Sequence, residues 1–389
     1  MSTSQPVLLV PGPIRLRVPA LPRARGWEGG ARVAGPVVRG FLCSAAAVAL
    51  LAFALPRLTG ASWDEVASLV AGVGMGPLAV LALVWVAGLW VHTPALAAPL
   101  PGLSHRGALV LNLSGSCVSN LVPLGGAAGT VVNWRMVRGW GFDSAAFALW
   151  AVVSGLADVL LKIALPLLTL TLLVGTGHDA GSFLGGAAYA VIGAVCALFA
   201  VAGWAVGDEL RLRRVCAGLD RALTALPRLR APEGGCAEAA LTFRRDSGAV
   251  LRQGWRRIVA GKLGYAALQA LLLLLCLRAV GVSVPVLAVL AALSAERVLS
   301  LLAITPGATG FVEVGMVATL VAFGVDPAHA AAGALLYRLF TFGMEIPVGG
   351  ALLAGWLVTG AEGPGRRRPA GTRATRPAVG PAGPAAVRG

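Results

Sequence analysis

Charged residues are scarce in this sequence, and their scarcity excludes an ordinary soluble domain. Only 13% of the 389 residues are charged, whereas 57% are hydrophobic and the mean hydropathy is +0.80. Soluble domains carry about 25% charged residues. Several apolar runs approach the roughly 20 residues that a helix needs to cross a bilayer, and they do not alternate as the strands of a membrane barrel do. The sequence therefore predicts an all-α polytopic membrane protein.

Motifs that support catalysis or metal binding are also missing. The six cysteines show no C-x-x-C spacing and do not cluster with the four histidines. Most of these cysteines lie in apolar runs, where cysteine behaves as a small hydrophobic residue. The chain has no Asp-rich prenyltransferase motif, no H-E-x-x-H, no P-loop and no nucleophile elbow. We therefore expect no metal, no cofactor, no disulfide and no enzymatic activity.

Basic residues give the chain a net charge of +15 and are concentrated in three segments. Six arginines precede the first apolar run, eleven basic residues lie between Arg211 and Arg257, and six arginines lie in the C-terminal tail. Such clusters are typical of cytoplasmic loops under the positive-inside rule, and they attract anionic lipid headgroups. This distribution argues against a nucleic-acid partner. It predicts a protein of the cell membrane with both termini in the cytoplasm.

Composition divides the chain into five segments. We predict a disordered basic cytoplasmic arm at 1–35, a first membrane half at 36–206, a basic cytoplasmic linker at 207–258, a second membrane half at 259–360 and a disordered Arg/Pro-rich cytoplasmic tail at 361–389. About six full spans are predicted within the two halves, at roughly 37–55, 77–100, 144–174, 187–206, 259–277 and 330–358.

Each half also contains an apolar run that is broken by proline and glycine. The first break spans residues 123–129 and the second is centred on Pro306-Gly307. Because the flanking loops place both ends of each run on one side, we expect two re-entrant helical hairpins. For the first run, two thin spans joined at Pro123 are the alternative.

A short correspondence between the halves indicates an internal repeat. Gly141-Phe142-Asp143 and Gly324-Val325-Asp326 each follow a hairpin and open a long helix. The distribution of basic residues gives the two units opposite orientations. Inverted repeats with broken helices near the midplane are the build of many transporters.

We select seven charged residues within the predicted membrane segments. Each costs on the order of 2.5 to 3.5 kcal/mol near the bilayer centre unless it is paired or hydrated, so we expect them to converge in a polar cleft between helices. They are Asp158, Lys162, Glu296, Arg297, Glu313, Arg338 and Glu345. Glu345 lies nearest the cytoplasmic end, where solvation by lipid headgroups is the alternative.

The predicted binding site combines these charges with the two helix breaks. Backbone N–H groups freed at a break can hold an anion, and a nearby arginine suits a phosphate. The candidate substrate-binding residues are Asn120, Pro123, Gly126, Asp158, Lys162, Glu296, Arg297, Pro306, Gly307, Gly310, Glu313 and Arg338.

Structural roles remain open for some of these candidates. Asp158 and Lys162 are spaced i, i+4 and can form an internally neutralised pair on one helix face. Glu296-Arg297 and Arg338 can instead lock the two halves together.

At these stretches the sequence resembles the transmembrane-region family of lysylphosphatidylglycerol synthases, also described as flippase-like membrane proteins. The matching stretches are SNLVPLGGAAG at 119–129, RMVRGWG at 135–141, ER at 296–297 with TPGATGFVE at 305–313, and YRLFT at 337–341. In relatives of this kind the membrane domain moves an aminoacylated phospholipid between leaflets, and a separate soluble domain makes that lipid. Only a short tail follows the last predicted span, so the resemblance does not imply lysyl transfer here.

The resemblance implies a translocase for a phospholipid or lipid-linked substrate. Two departures from the family pattern remove charge from the first half. Ser154-Gly155 replaces a Glu-Arg pair, and Pro123-Leu124-Gly125 replaces a Pro-Ala-Arg-type motif. Two other readings are a secondary transporter of a small polar solute, in which Asp158 or Glu313 carries a coupling proton, and a non-transporting membrane scaffold whose basic segments recruit partners.

Overall fold

The structure is a computed structural model, and it describes most of the central part of the chain. The described residues are 62–121, 125–175, 207–224, 235–301 and 305–359, with isolated positions at 49, 52, 53, 56, 57, 60, 193, 197, 200 and 204. The predicted arm and tail, and most of predicted spans one and four, lie outside these residues.

Every element of regular secondary structure in the described residues is a helix, which confirms the all-α prediction. The α-helices are α1 (Trp63–Ala71), α2 (Met75–Ala97), α3 (His105–Leu121), α4 (Gly125–Gly139), α5 (Ser144–Gly175), α6 (Glu209–Thr224), α7 (Gly235–Ala279), α8 (Val286–Leu299), α9 (Phe311–Ala322), α10 (Pro327–Arg338) and α11 (Glu345–Thr359).

Four helical stretches are long and apolar enough to cross a membrane, which confirms a membrane protein. They are Met75–Ala97, Ser144–Gly175, Arg252–Ala279 and Pro327–Thr359. These correspond to predicted spans two, three, five and six. The last stretch is α10 and α11 joined by a π-helical turn, Leu339–Gly343.

Helix α7 is one continuous helix of 45 residues. At 1.5 Å per residue it is about 68 Å long, roughly twice the thickness of the hydrocarbon layer. The predicted boundary between the linker and the second membrane half, at residue 258, therefore falls inside a helix. The N-terminal part of α7 is polar, and α6 packs against it through a small apolar cluster.

Both broken apolar runs form helical hairpins. Helix α3 packs along α4, and α8 packs along α9. Pro123 belongs to residues 122–124, which lie outside the described residues. At the second break a 3₁₀ turn, Pro306–Ala308, joins the arms, and Gly307 and Gly310 have φ of +58° and +91°. These left-handed values suit glycine, which has no Cβ to clash.

The two halves contact each other reciprocally. Helix α5, which follows the first hairpin, packs on α8 of the second hairpin, and α11, which follows the second, packs on α3 of the first. Helices α2 and α7 pack along each other between them. A Cβ on Gly261 would lie 2.8 Å from the Cβ of Ala95, so glycine permits the close approach of these two helices.

The sequence repeat is also visible in the backbone between helices. Gly141 and Gly324 have φ of +82° and +83°. The amide of the next residue donates to the carbonyl of Val137 in the first half, at 3.2 Å, and of Leu320 in the second, at 3.1 Å. The aspartate that follows accepts hydrogen bonds from N–H groups of the next helix. The two units therefore end and begin helices in the same way.

The apolar core lies between α7, α8, α9 and α10. Helix α10 occupies its centre because most of its buried residues are alanine, and Gly333 faces Leu277 of α7 so closely that a Cβ would overlap it. This central position carries Tyr337 and Arg338, the last two residues of α10, into the interior.

Candidate functional site

An ion pair closes the second helix break. The Arg338 Nε donates to Glu313 Oε1 at 2.7 Å, and its Nη2 donates to the Gly307 carbonyl at 3.1 Å. The other carboxylate oxygen of Glu313 accepts from the Gly310 N–H at 2.6 Å. Both charged side chains are buried. The carboxylate therefore caps the start of α9, while the guanidinium binds a carbonyl that the turn leaves outside the helix.

The π-helical turn Leu339–Gly343 packs against this ion pair through Phe342. The Arg338 guanidinium carbon lies 4.8 Å from the centroid of the Phe342 ring, within the range of a cation–π interaction. A Cβ on Gly307 would overlap the same ring. The break, the arginine and the π-helical turn thus form one unit, and π-helical turns are frequent at functional sites.

A second buried polar group lies between α7, α8 and α10. The Tyr337 hydroxyl donates to Glu296 Oε2 at 3.2 Å, and Arg297 Nη1 lies 4.0 Å from Glu296 Oε1. Arg297 Nη2 also donates to Gln269 of α7. The Nε of Arg297 is buried and has no hydrogen-bond partner among the described residues. A buried donor without a partner marks a place for water or a ligand atom.

Asp158 forms its ion pair with Lys262 of α7, and the predicted pairing with Lys162 is therefore wrong. The Lys262 Nζ donates to Asp158 Oδ1; its side chain is 5% exposed, whereas that of Asp158 is 49% exposed. The buried ammonium of Lys262 needs a counter-ion more than the half-buried ammonium of Lys162 does. Lys162 lies one turn along α5, half-buried and within electrostatic reach of Glu296 and Arg297.

Sequence reasoning missed Lys262, although a signal was present. It follows Gly261 near the start of predicted span five, inside an apolar run, where an intramembrane charge is a functional candidate by default. With Lys262 the selected set has four acids and four bases. We call these eight the central charge cluster: Asp158, Lys162, Lys262, Glu296, Arg297, Glu313, Arg338 and Glu345.

Glu345 belongs to the cluster, and solvation by headgroups is not its environment. The residue is 7% exposed, and Ser116 of α3 lies beside its carboxylate. Arg338 and Glu296 lie within electrostatic reach. The start of α11 therefore connects the first hairpin to the charges of the second.

His92 and Tyr265 were also missed. Their rings stack with centroids 4.4 Å apart and an angle of 6° between planes. Both ring nitrogens of His92 are buried without a hydrogen-bond partner among the described residues. Asp158 and Lys262 lie within electrostatic reach of the imidazole. A histidine within the apolar run of α2 was the available signal.

The residues predicted to bind substrate at the first break are more exposed than those at the second. Gly126 is exposed with open space around its Cα, and Asn120 is half-buried at the end of α3. A Cβ on Gly125 would overlap the backbone of Ser119, and one on Gly129 would overlap the Ser119 hydroxyl. The buried glycines of this break therefore serve close packing of α3 against α4.

An apolar groove between α5 and α7 leads to the cluster. It has a volume of about 310 Å³, and Leu156, Leu160, Trp255 and Val259 contribute to its lining. These four side chains are exposed on the outside of the helices, where hydrocarbon would contact them. Lys262 is the charged residue of the lining, so an apolar groove and a buried ammonium adjoin each other.

Residues 37–349 match the sequence profile of the family described as Lysylphosphatidylglycerol synthase TM region. No curated protein and no solved structure matches the chain. The matched range begins with the first predicted span, ends within α11 and contains the whole central charge cluster.

Proposed function

The chain belongs to the family of lysylphosphatidylglycerol synthase TM regions, and from this membership we propose that it is a flippase-like translocase for a phospholipid or lipid-linked substrate. One observation carries the proposal: the balanced, largely buried charge cluster adjoins an apolar groove that faces lipid. The protein would act in the cell membrane, with both termini in the cytoplasm, and would move its substrate without changing it covalently.

The arrangement of charges suits a headgroup that carries a phosphate. Lys262 adjoins the groove, and the unpartnered Nε of Arg297 is the free donor beyond it. Arg338 would join them by exchanging Glu313 for a phosphate oxygen, since a guanidinium binds carboxylate and phosphate oxygens alike. The released Glu313 would be available to a headgroup amine.

The reciprocal helix contacts support an inverted repeat. Each long helix that follows one hairpin packs on the other hairpin, and α2 packs along α7 between the two units. Rocking of one unit against the other about this pair would expose the cluster to each leaflet in turn. The hairpins would enter the membrane from opposite sides.

Arg338→Ala in proteoliposomes tests the proposal. A fluorescent phospholipid is loaded in one leaflet, and its appearance in the other is followed with a membrane-impermeant quencher. We expect the protein-dependent rate to fall at least about tenfold, since a charge-assisted contact contributes roughly 1.5–3 kcal/mol. Arg278→Ala removes an exposed arginine at the end of α7 and should leave the rate unchanged.

Arg338→Ala leaves Glu313 buried without its partner, so a second variant guards against misfolding. Glu313→Gln with Arg338→Gln removes both charges together and should insert normally yet remain inactive. A transport rate equal to that of the unmodified protein in this double variant would refute the assigned role of the pair.

A second candidate function is a proton-coupled transporter of a small polar solute. The observation that favours it is His92, whose buried and unpartnered ring nitrogens lie beside the Asp158–Lys262 pair. Such a transporter would acidify the lumen of proteoliposomes when substrate is supplied. A lipid translocase would move labelled lipid without any change in luminal pH.

A further inference from the structure

Two adjoining cavities lie where the end of α2 and the turn into α3 meet α7. Their volumes are about 600 and 550 Å³. His105 and Arg257 line both cavities, Gln253 lines the first, and Trp90 and Arg256 line the second. We call this pair of cavities, with His105, Arg256 and Arg257 as its basic residues, the α2–α7 vestibule.

The α2–α7 vestibule is separate from the groove that leads to the central charge cluster. The groove uses the face of α7 that carries Trp255, Val259 and Lys262, whereas the vestibule uses Gln253 and Arg257. The two linings share no residue. A ligand in the vestibule would therefore not occupy the proposed transport site.

The vestibule is strongly basic and its charge is not compensated within the described part of the chain. No described acidic residue lines either cavity. Neither Arg256 nor Arg257 forms an ion pair with a described carboxylate, and Arg256 lies 5.6 Å from the centroid of the Trp255 ring. Two neighbouring guanidinium groups without a counter-ion are a ready site for an anion.

Hydrogen bonding fixes the orientation of His105 toward this site. The Thr93 hydroxyl donates to the Trp90 carbonyl at 2.8 Å, and the same oxygen lies 3.0 Å from His105 Nδ1. The contact with Thr93 uses Nδ1, and Nε2 is the ring nitrogen left for an anion, to which it donates when it carries the proton.

We propose that the α2–α7 vestibule binds the phosphate of an anionic phospholipid headgroup, through Arg256, Arg257 and His105. Trp90 and Val91 are 51% and 37% exposed beside the basic residues, on a surface that hydrocarbon contacts in a membrane. They provide a place for acyl chains that a free phosphate would not need. This inference does not rest on the proposed translocation.

The chain's own terminal segments do not suit this site. Residues 1–39 and 363–389 each carry six arginines and together a single acid, Glu28, so like charges would repel them from the vestibule. An anionic lipid has the complementary charge, and the positive-inside rule places these arginines at a leaflet rich in such lipids.

The basic groups around His105 come mainly from α7. Arg256 and Arg257 line the cavity beside its imidazole, α2 contributes the neutral Thr93, and Arg106 is the next residue on its own helix. The arginines stay protonated throughout the accessible pH range, so the vestibule keeps its positive charge across that range.

The test measures lipid binding by the purified full-length chain in detergent. Native mass spectrometry and thermal unfolding are recorded with phosphatidylglycerol or phosphatidylcholine in mixed micelles. We expect phosphatidylglycerol to bind and stabilise, and phosphatidylcholine not to. Arg256→Gln with Arg257→Gln should weaken binding roughly tenfold to thirtyfold, since each arginine near a membrane surface contributes about a factor of five.

The matched control removes two arginines from the same helix outside the vestibule. Arg245→Gln with Arg252→Gln has the same loss of charge, and both residues are exposed. It should bind phosphatidylglycerol within about twofold of the unmodified chain. Equal loss in the two double variants would overturn the proposal, because it would indicate diffuse attraction to a basic helix.

Two further arms separate the sources of phosphate and the role of His105. Inorganic phosphate or glycerol phosphate that stabilises the chain as well as the lipid does would overturn the assignment to a lipid. His105→Asn retains a polar group for Thr93 but lacks Nε2, so it should weaken binding of phosphatidylglycerol. Binding unchanged in this variant would contradict the part assigned to His105.

Discussion

The two helix breaks follow a similar chain pattern but use it differently. No charged residue occurs between Arg106 and Arg135, so the first hairpin carries no charge near its break, and its buried glycines pack α4 against Ser119. At the second break, Glu313 and Arg338 bind the backbone groups that the turn leaves open. Close packing of glycines stabilises the first break, and an ion pair stabilises the second.

This difference extends to the halves as a whole. Asp158 and Lys162 are the first half's members of the central charge cluster, and the other six lie in the second half. The two units thus share the same helix C-terminal turn and N-cap, whereas most of the buried charged residues lie in the second unit. The first half contributes mainly contacts to residues of the second half: Asp158 pairs with Lys262, and Ser116 lies beside Glu345.

The largest expected effect comes from removing the ion pair at the second break. Glu313→Ala leaves Arg338 buried without its carboxylate and the Gly310 N–H uncapped, so we expect a loss of about 3–5 kcal/mol in the free energy of unfolding. Thr130 occupies the equivalent place in the first break, seven residues after the proline, and its exposed hydroxyl bonds the Gly126 carbonyl. Thr130→Ala should cost less than about 0.5 kcal/mol.

Unfolding in mixed detergent micelles measures both variants. Glu313→Ala combined with Arg338→Ala should recover part of the loss, because no buried charge then stays unpaired. Similar destabilisation by Glu313→Ala and Thr130→Ala would remove the contrast between the two breaks.

A smaller effect tests the contact between the halves at Asp158. Asp158→Asn leaves the buried Lys262 ammonium without a counter-ion and should cost about 2–4 kcal/mol of unfolding free energy. Lys162→Met should cost less than about 1 kcal/mol, since this side chain is half-buried and has no described ion pair. A larger loss for Lys162→Met than for Asp158→Asn in the same unfolding assay would instead support an ion pair between Asp158 and Lys162.

The smallest effect compares the two equivalent helix caps. Asp143→Ala and Asp326→Ala should each cost about 1 kcal/mol, the usual contribution of an N-cap side chain. The hydrogen bond from His329 lowers the pKa of Asp326. Its contribution is therefore complete above the pKa of an unfolded carboxyl group and is lost as pH falls through the lowered value.

Thermal unfolding at neutral and acidic pH checks this last prediction. The difference between the unmodified chain and Asp326→Ala should shrink in acid. A difference that grows as pH falls would have the wrong sign for a carboxylate stabilised in its ionised form.

Sequence reasoning found the features that are local in the chain. Pro306-Gly307 marked the second break because proline and glycine interrupt an apolar helix, and Gly324-Val325-Asp326 marked the opening of a long helix. The partner of Asp158 could not be found this way. Spacing offered Lys162 four residues on, whereas Lys262 is 104 residues away and reaches Asp158 only after α5 packs on α7.

The burial of Glu345 and the stacking of His92 on Tyr265 were inaccessible for the same reason. Each depends on a helix from the other half, α3 for Glu345 and α7 for His92. The polar residue was visible in its apolar run, but its surroundings required the reciprocal packing of the two units.

The balance of four acids and four bases has an electrical consequence. A unit charge that crosses a potential of 100 mV gains or loses about 2.3 kcal/mol. When all eight groups are ionised, their sum is zero, and a motion that carries them together across the membrane field does no net electrical work. Voltage would then act on such a motion only through whatever net charge the cargo itself brings.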